Sequence, residues 1–115
     1  MSNKIYHNPQ WGKSRKSVEI LKKSQIDFSI IQFLKNPPSM IELKDICFKL
    51  KIHPKDLLRT NDIAYKKNNI EKFIENENVL YKKMIKFPII IERPIIIIGE
   101  KAVIGRPPEK ILEIL

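Results

Sequence analysis

The stretch His7–Arg15, HNPQWGKSR, places a tight polar turn between a short apolar strand and an amphipathic helix. Asn8-Pro9 favours a turn, and Gly12 lets the backbone approach a ligand closely. Because serine is a preferred residue at helix starts, we expect Ser14 to cap the helix that follows. The first turn of a helix presents unpaired N–H groups and the positive end of the helix dipole. This stretch therefore predicts a place where an oxyanion or a thiolate is stabilised.

The apolar pattern on either side of this turn predicts a strand, a helix and a second strand. We expect Lys4–Tyr6 to form the first strand, Ser14 to about Lys23 the first helix, and Phe28–Leu34 a second, buried strand. A strand–helix–strand succession predicts a parallel pair with a right-handed crossover. The first turn lacks the GxGxxG pattern, so a dinucleotide-binding fold is not expected.

The middle of the chain is expected to be helical. Asn36-Pro37-Pro38-Ser39 ends the second strand, and Ser39 with Glu42 fits a capping box. Further short helices are expected at Pro54–Leu58, Ile70–Ile74 and Val79–Phe87, with irregular structure over Asn61–Asn69. These elements form a helical insertion over approximately residues 39–87.

The end of the chain predicts a β-hairpin and a final helix. Ile95–Ile98 and Lys101–Ile104 are apolar runs joined by Gly99-Glu100, which suits a two-residue turn. The final helix is expected to start within Arg106-Pro107-Pro108-Glu109, because proline suits the first helical position. Residues 1–115 thus predict a single α/β domain with a mixed four-stranded sheet in the order βαβ, helical insertion, ββα.

The chain is basic, with 22 Lys and Arg against 13 Asp and Glu and a formal net charge of +9. This charge favours an anionic partner or substrate, although lysine-rich solvated faces give the same composition. Only four of the basic residues are arginines: Arg15, Arg59, Arg93 and Arg106. In so lysine-rich a chain, arginine indicates a need for the planar guanidinium that grips a tetrahedral oxyanion with two hydrogen bonds. Structural ion pairs of Arg59 and Arg106 are the alternative.

The single cysteine, Cys47, excludes an internal disulfide, and no cluster of Cys and His suggests a metal site. Cys47 lies on the apolar side of the helix predicted after Ser39, so we expect it in the core rather than as a nucleophile. The longest apolar runs, Ile89–Ile91 and Ile95–Ile98, are too short to span a bilayer. We therefore expect a cytoplasmic protein with no membrane segment, no metal and no bound cofactor.

Five separated motifs carry a family resemblance that extends from Ile5 to Leu115. They are HNPQWGKSR at 7–15, NPPS at 36–39, LLRTN at 57–61, ERPI at 92–95 and GRPPE at 105–109. In that order they resemble the glutaredoxin-dependent arsenate reductase (ArsC) family. The resemblance implies a thioredoxin-like fold, with a cis peptide bond at Arg93-Pro94 before the third strand.

The resemblance also implies a chemistry. In this family a loop cysteine attacks arsenate as a thiolate, and glutathione and glutaredoxin complete the reduction to arsenite. The implied site residues are His7, Asn8 and Ser14 around the nucleophile and Arg59, Arg93 and Arg106 around the oxyanion. Arsenate, phosphate or sulfate is the implied ligand, glutathione the co-substrate, glutaredoxin a partner, and a monomer the expected state.

One position departs from the family pattern, because Trp11 stands where the family has its nucleophilic cysteine. An indole cannot attack arsenic or form a disulfide. One open function class is an oxidoreductase of the arsenate reductase type, working through Cys47 or in a form with cysteine at position 11. The other is a non-catalytic relative, or pseudoenzyme, that binds an anion or, like the Spx-type regulators, a protein. Nucleic-acid binding is not expected, since no aromatic-interleaved basic strand is present.

Overall fold

The computed structural model describes residues 3–115, which fall into two compact units. The first unit runs to Asn36 and resumes from Arg93 to Leu115, and the second is Pro37–Glu92. The second unit begins and ends within a few residues of the insertion expected at 39–87. Whether residues 1–115 act as a single domain stays a prediction.

A mixed four-stranded sheet forms the first unit. Its strands are β1 (Lys4–His7), β2 (Ser29–Gln32), β3 (Ile95–Ile98) and β4 (Lys101–Ile104), in the order β2-β1-β3-β4. β1 and β2 are parallel, with Tyr6 opposite Ile31, and β3 runs antiparallel to both β1 and β4. The sheet predicted from the sequence is therefore confirmed, including its parallel pair.

Helix α1 (Gly12–Lys23) packs against this sheet through a small apolar core. The buried members of that core are Ile5 of β1, Leu21 of α1, Ile96 of β3 and Ile111 of a 3-10 helix at Pro108–Glu113. Each such side chain contributes about 1.5–3 kcal/mol when it is removed from water. This burial holds α1 against β1 and so fixes both ends of the turn between them. The final helix predicted after Arg106 is present, but as a 3-10 helix.

Strand β2 differs from the buried strand expected over Phe28–Leu34. It is four residues long, lies at the sheet edge, and leaves Ile30 46% exposed. Apolar content alone cannot separate an edge strand from a central one, because that position depends on pairing with distant segments. The buried strands of this sheet are β1 and β3, each with three of its four residues buried.

The second unit is helical. It contains α2 (Met40–Leu50), α3 (Ile63–Lys67) and α4 (Glu77–Lys86), with 3-10 helices at Pro54–Leu57, Ile70–Phe73 and Pro88–Ile90. The capping box is confirmed, because Ser39 Oγ accepts the Glu42 N–H at 3.1 Å and the Glu42 carboxylate accepts the Ser39 N–H at 2.9 Å. The expectation of irregular structure over Asn61–Asn69 is wrong. Asp62 starts α3 there by accepting the Ala64 N–H at 2.8 Å.

The turns around β3 and β4 agree with the sequence. Gly99 in the hairpin turn has a φ of 60°, in the left-handed region that favours glycine. The Arg93-Pro94 peptide bond is cis, as predicted. The Arg106-Pro107 bond is also cis, which was not predicted.

Gly105, directly after β4, is packed too closely for a side chain. Its N–H donates to the Pro94 carbonyl at 2.8 Å. A Cβ at this position would lie 2.8 Å from Ser17 Oγ, 2.9 Å from Ile96 Cδ1 and 3.0 Å from Pro94 Cγ. Glycine therefore allows the segment after β4 to lie directly against α1 and the start of β3.

We expect Gly105→Ala to lower the free energy of unfolding by about 1–3 kcal/mol, because the neighbours of the added methyl group must shift. Gly12→Ala is the matched control, since a Cβ there meets only Arg15 Nη2, at 3.7 Å. Urea unfolding of the parent and both variants measures the difference. Equal midpoints for the two variants would contradict the close packing around Gly105.

Candidate active site

The turn between β1 and α1 is held by the Asn8 backbone and side chain. The Trp11 N–H donates to the Asn8 carbonyl at 3.1 Å, and the Gln10 N–H donates to Asn8 Oδ1 at 3.1 Å. Arg15 Nη1 also donates to the Pro9 carbonyl at 3.0 Å, although Arg15 is exposed. The turn predicted at Asn8-Pro9 is confirmed, and a guanidinium braces it from the helix side.

Ser14 ties the end of β1 to the first turn of α1. It does not cap the helix as expected, because the N-cap residue is Trp11, whose side chain makes no capping hydrogen bond. Ser14 is fully buried inside the first turn. Its Oγ accepts the Asn8 N–H at 3.0 Å and lies 2.6 Å from His7 Nδ1. The structure thus brings together His7, Asn8 and Ser14, while the catalytic role that the resemblance implies for them stays a prediction.

His7 lies at the end of β1, in surroundings that favour the neutral imidazole. Burial lowers the pKa of its imidazole from 6.5, and the positive charge of Arg15 lowers the pKa further. When the neutral ring carries its proton on Nε2, Nδ1 accepts the hydrogen bond of the Ser14 hydroxyl. The same hydroxyl oxygen then serves both His7 and the Asn8 N–H.

Arg93 reaches this loop by stacking its guanidinium on the indole ring of Trp11. Arg93 has no exposed surface, whereas Trp11 is partly exposed. A guanidinium over an indole is held by the attraction between its charge and the negative face of the ring, worth about 0.5–2 kcal/mol. One of the three predicted oxyanion-binding arginines therefore lies at the N-terminus of α1.

Arg106 is held near Arg93 through the backbone. Its side chain is exposed, and it follows Gly105, whose N–H bonds to the Pro94 carbonyl. The backbone before Arg106 therefore lies beside the residue that follows Arg93. Its role as an oxyanion-binding residue stays a prediction.

Arg59 belongs to the second unit and has partners there. Its Nη1 donates to Asp62 Oδ2 at 2.7 Å and to the Ile89 carbonyl at 3.0 Å. The contact with Asp62 is the structural ion pair that the sequence left open as an alternative. The convergence of all three guanidinium groups on the loop stays a prediction.

Cys47 is unsuited to nucleophilic chemistry. It is buried in the second unit, as expected, and its thiol is hydrogen-bonded to Tyr81. Burial raises the pKa of the Cys47 thiol to about 11. At neutral pH the thiolate, which is the nucleophilic form, is therefore almost unpopulated.

The loop offers a ligand groups that suit an anion. These are a helix start and the exposed guanidinium group of Arg15, whereas the guanidinium group of Arg93 is buried against Trp11. Within residues 3–115, no three or more His, Cys, Asp and Glu side chains are grouped to hold a metal ion. None of the helices in that range has the length and apolar character of a membrane span.

Two contacts at the site were missed by the sequence reasoning. One is the stacking of Arg93 on Trp11, and the other is the bond from Arg15 to the Pro9 carbonyl. Both involve arginine, which is rare in this chain, and Trp11 is its only tryptophan. The rarity of these residue types was therefore the signal that pointed to the contacts. Which residues pair with each other depends on tertiary structure.

Because the pKa of His7 is lower in the folded chain than in the unfolded one, the unfolded chain takes up this proton first as the pH falls. The stability that the neutral ring contributes is therefore complete above pH 6.5 and is lost as the pH falls below it. As the pH falls from about 8 to about 5, we expect the free energy of unfolding to decrease less in His7→Gln than in the parent. Urea unfolding at both pH values measures this. No difference between His7→Gln and the parent would contradict the prediction.

The comparisons with known proteins agree with this architecture. Residues 6–114 match the ArsC family. The chain is 41% identical to the arsenate reductase of Haemophilus influenzae, with 100% of both chains covered, and 34% identical to that of Neisseria meningitidis serogroup A, with 97% of both covered. The structure of arsenate reductase from Vibrio cholerae matches with a TM-score of 0.93 at 36% identity and covers 100% of this chain and 98% of that one. The chain therefore has the thioredoxin-like fold of these arsenate reductase structures and belongs to the ArsC family.

Proposed function

We propose that this ArsC-family chain binds a tetrahedral oxyanion at the His7–Arg15 loop and does not itself reduce arsenate. The observation that carries the proposal is the contact between Arg93 and Trp11, which sets a guanidinium, but no thiol, beside the start of α1. The relatives named arsenate reductase make arsenate the first anion to test. Phosphate and sulfate are tetrahedral analogues.

Three positive contributions favour an anion at this loop. The first turn of α1 contains no acidic residue, so nothing in that turn neutralises the positive end of the helix dipole. Arg15 is fastened across the turn through the Pro9 carbonyl, and Arg93 is held against Trp11. An oxyanion beside these groups would offset positive charge that the fold holds in place.

The missing group is the nucleophile. In thiol-dependent reduction, a thiolate sulfur bonds to arsenic while an arsenate oxygen leaves as water, and a second thiol then forms a disulfide as arsenite departs. Trp11 has no thiol, and the only cysteine, Cys47, has a pKa raised to about 11. The first bond to arsenic therefore has no competent sulfur in this chain.

We expect Trp11→Cys to gain arsenite formation that depends on glutathione and glutaredoxin, while the parent and Cys47→Ser stay at background. The helix start and Arg93 would lower the pKa of a thiol at position 11. The gain is partial, because a thiol fills less space than the indole. Arsenite formed from arsenate is the measurement. Arsenite formation by the parent that disappears in Cys47→Ser would refute the proposal.

We expect arsenate, phosphate and sulfate to bind the parent weakly and less well at high salt, because exposed charges are screened. Arg93→Met, which keeps much of the side-chain volume but removes the charge, should weaken this binding further. Lys22→Ala is the matched control, since it removes an exposed positive charge at the far end of α1. Calorimetric titration measures all three proteins. Equal affinities for Arg93→Met and Lys22→Ala would exclude Arg93 from the site.

A further inference from the structure

We infer that the Trp11 indole is a cover over the Arg93 guanidinium, which an anion must displace in order to reach that group. The inference rests on the proposed oxyanion binding and adds the residue that limits it. It assigns Trp11 a role in binding that is separate from the absence of a thiol at this position.

The exposures of the two side chains support a cover. Arg93 has no solvent-accessible surface, so no ligand touches its guanidinium in the arrangement observed. Trp11 contacts that guanidinium and is itself partly exposed. The indole is therefore a partly exposed group that lies against a fully buried guanidinium.

The indole and an anion are competitors for Arg93. The ring attracts the guanidinium through its negative face, and the same face repels an anion. An oxyanion that bonds to the guanidinium fork also needs the space beside that fork. Binding at Arg93 therefore requires the indole to move, whereas anion contact with the start of α1 alone does not.

The movement can be confined to one side chain. The Trp11 N–H is bonded to the Asn8 carbonyl at 3.1 Å, and the Trp11 carbonyl accepts the Arg15 N–H at 3.0 Å. Trp11 has extended backbone angles, φ −107° and ψ 129°, and its side chain makes no capping bond. The backbone can thus stay in place while the indole rotates to another rotamer.

An anion can reach Arg93 only in the fraction of molecules whose indole has moved away. The apparent affinity at Arg93 is therefore the affinity of the open arrangement multiplied by that fraction. The free energy of the stacking between Trp11 and Arg93 corresponds to about a 2- to 30-fold change in the equilibrium constant between the covered and the open arrangement. We therefore expect Trp11→Ala to bind inorganic phosphate about 2- to 30-fold more tightly than the parent. Trp11→Phe keeps a ring over Arg93 with weaker attraction for the charge, so it should fall between the two.

Two measurements on the intact chain test this. Calorimetric titration with inorganic phosphate at one low ionic strength compares the parent, Trp11→Phe, Trp11→Ala and the double variant Trp11→Ala/Arg93→Met. In the parent, tryptophan fluorescence reports on Trp11 alone, because the chain has a single tryptophan. Its emission should change as phosphate saturates the protein. Circular dichroism confirms that each variant is folded.

The outcomes separate the cover from oxyanion binding. The cover is supported if phosphate affinity decreases in the order Trp11→Ala, Trp11→Phe, parent, and if the gain is absent from the double variant Trp11→Ala/Arg93→Met. Equal phosphate affinities in the parent and Trp11→Ala, with no change in parent fluorescence, overturn the cover and leave oxyanion binding intact. No phosphate binding by any of the four proteins overturns both.

Discussion

The buried charge of Arg93 is the constraint on which the loop depends. A guanidinium without solvent contact is costly unless the surrounding groups compensate it. Here the Trp11 indole lies against it, and the next residue, Pro94, accepts the Gly105 N–H. Three segments that are distant in sequence are thus held together around one positive charge.

Hydrogen bonds fix the backbone of the loop. Ser14 is fully buried and serves two partners, His7 and the Asn8 N–H, so it ties the end of β1 to the first turn of α1. Because of this preorganisation, binding of the proposed anion at the helix start would need little entropy for ordering the loop. Trp11 has a hydrogen-bonded backbone, and its indole contacts the Arg93 guanidinium.

Features with local causes could be predicted from the sequence. The capping box of Ser39 and Glu42 and the turn at Asn8 depend on residues only a few positions apart. Helix α1 starts at Gly12, two residues before the expected Ser14, because the Trp11 carbonyl already accepts the Arg15 N–H. Ser14 Oγ instead accepts the Asn8 N–H, just after β1. The edge position of β2 could not be predicted, since it follows from where β3 pairs. The meeting of Trp11 with Arg93 likewise depends on tertiary structure and not on any spacing in the sequence.

Binding and chemistry at this loop depend on different atoms, and a single residue therefore affects them unequally. Anion binding would use the helix start and Arg93, which are present whatever side chain occupies position 11. Arsenate reduction by the proposed thiol mechanism would need a sulfur at that position, and burial raises the pKa of the remaining thiol, Cys47, to about 11. In the function proposed for this chain, an indole at position 11 therefore removes the step that requires a covalent bond. It would weaken the proposed anion site only by as much as its contact with Arg93 is worth, because rotation of one side chain would break that contact.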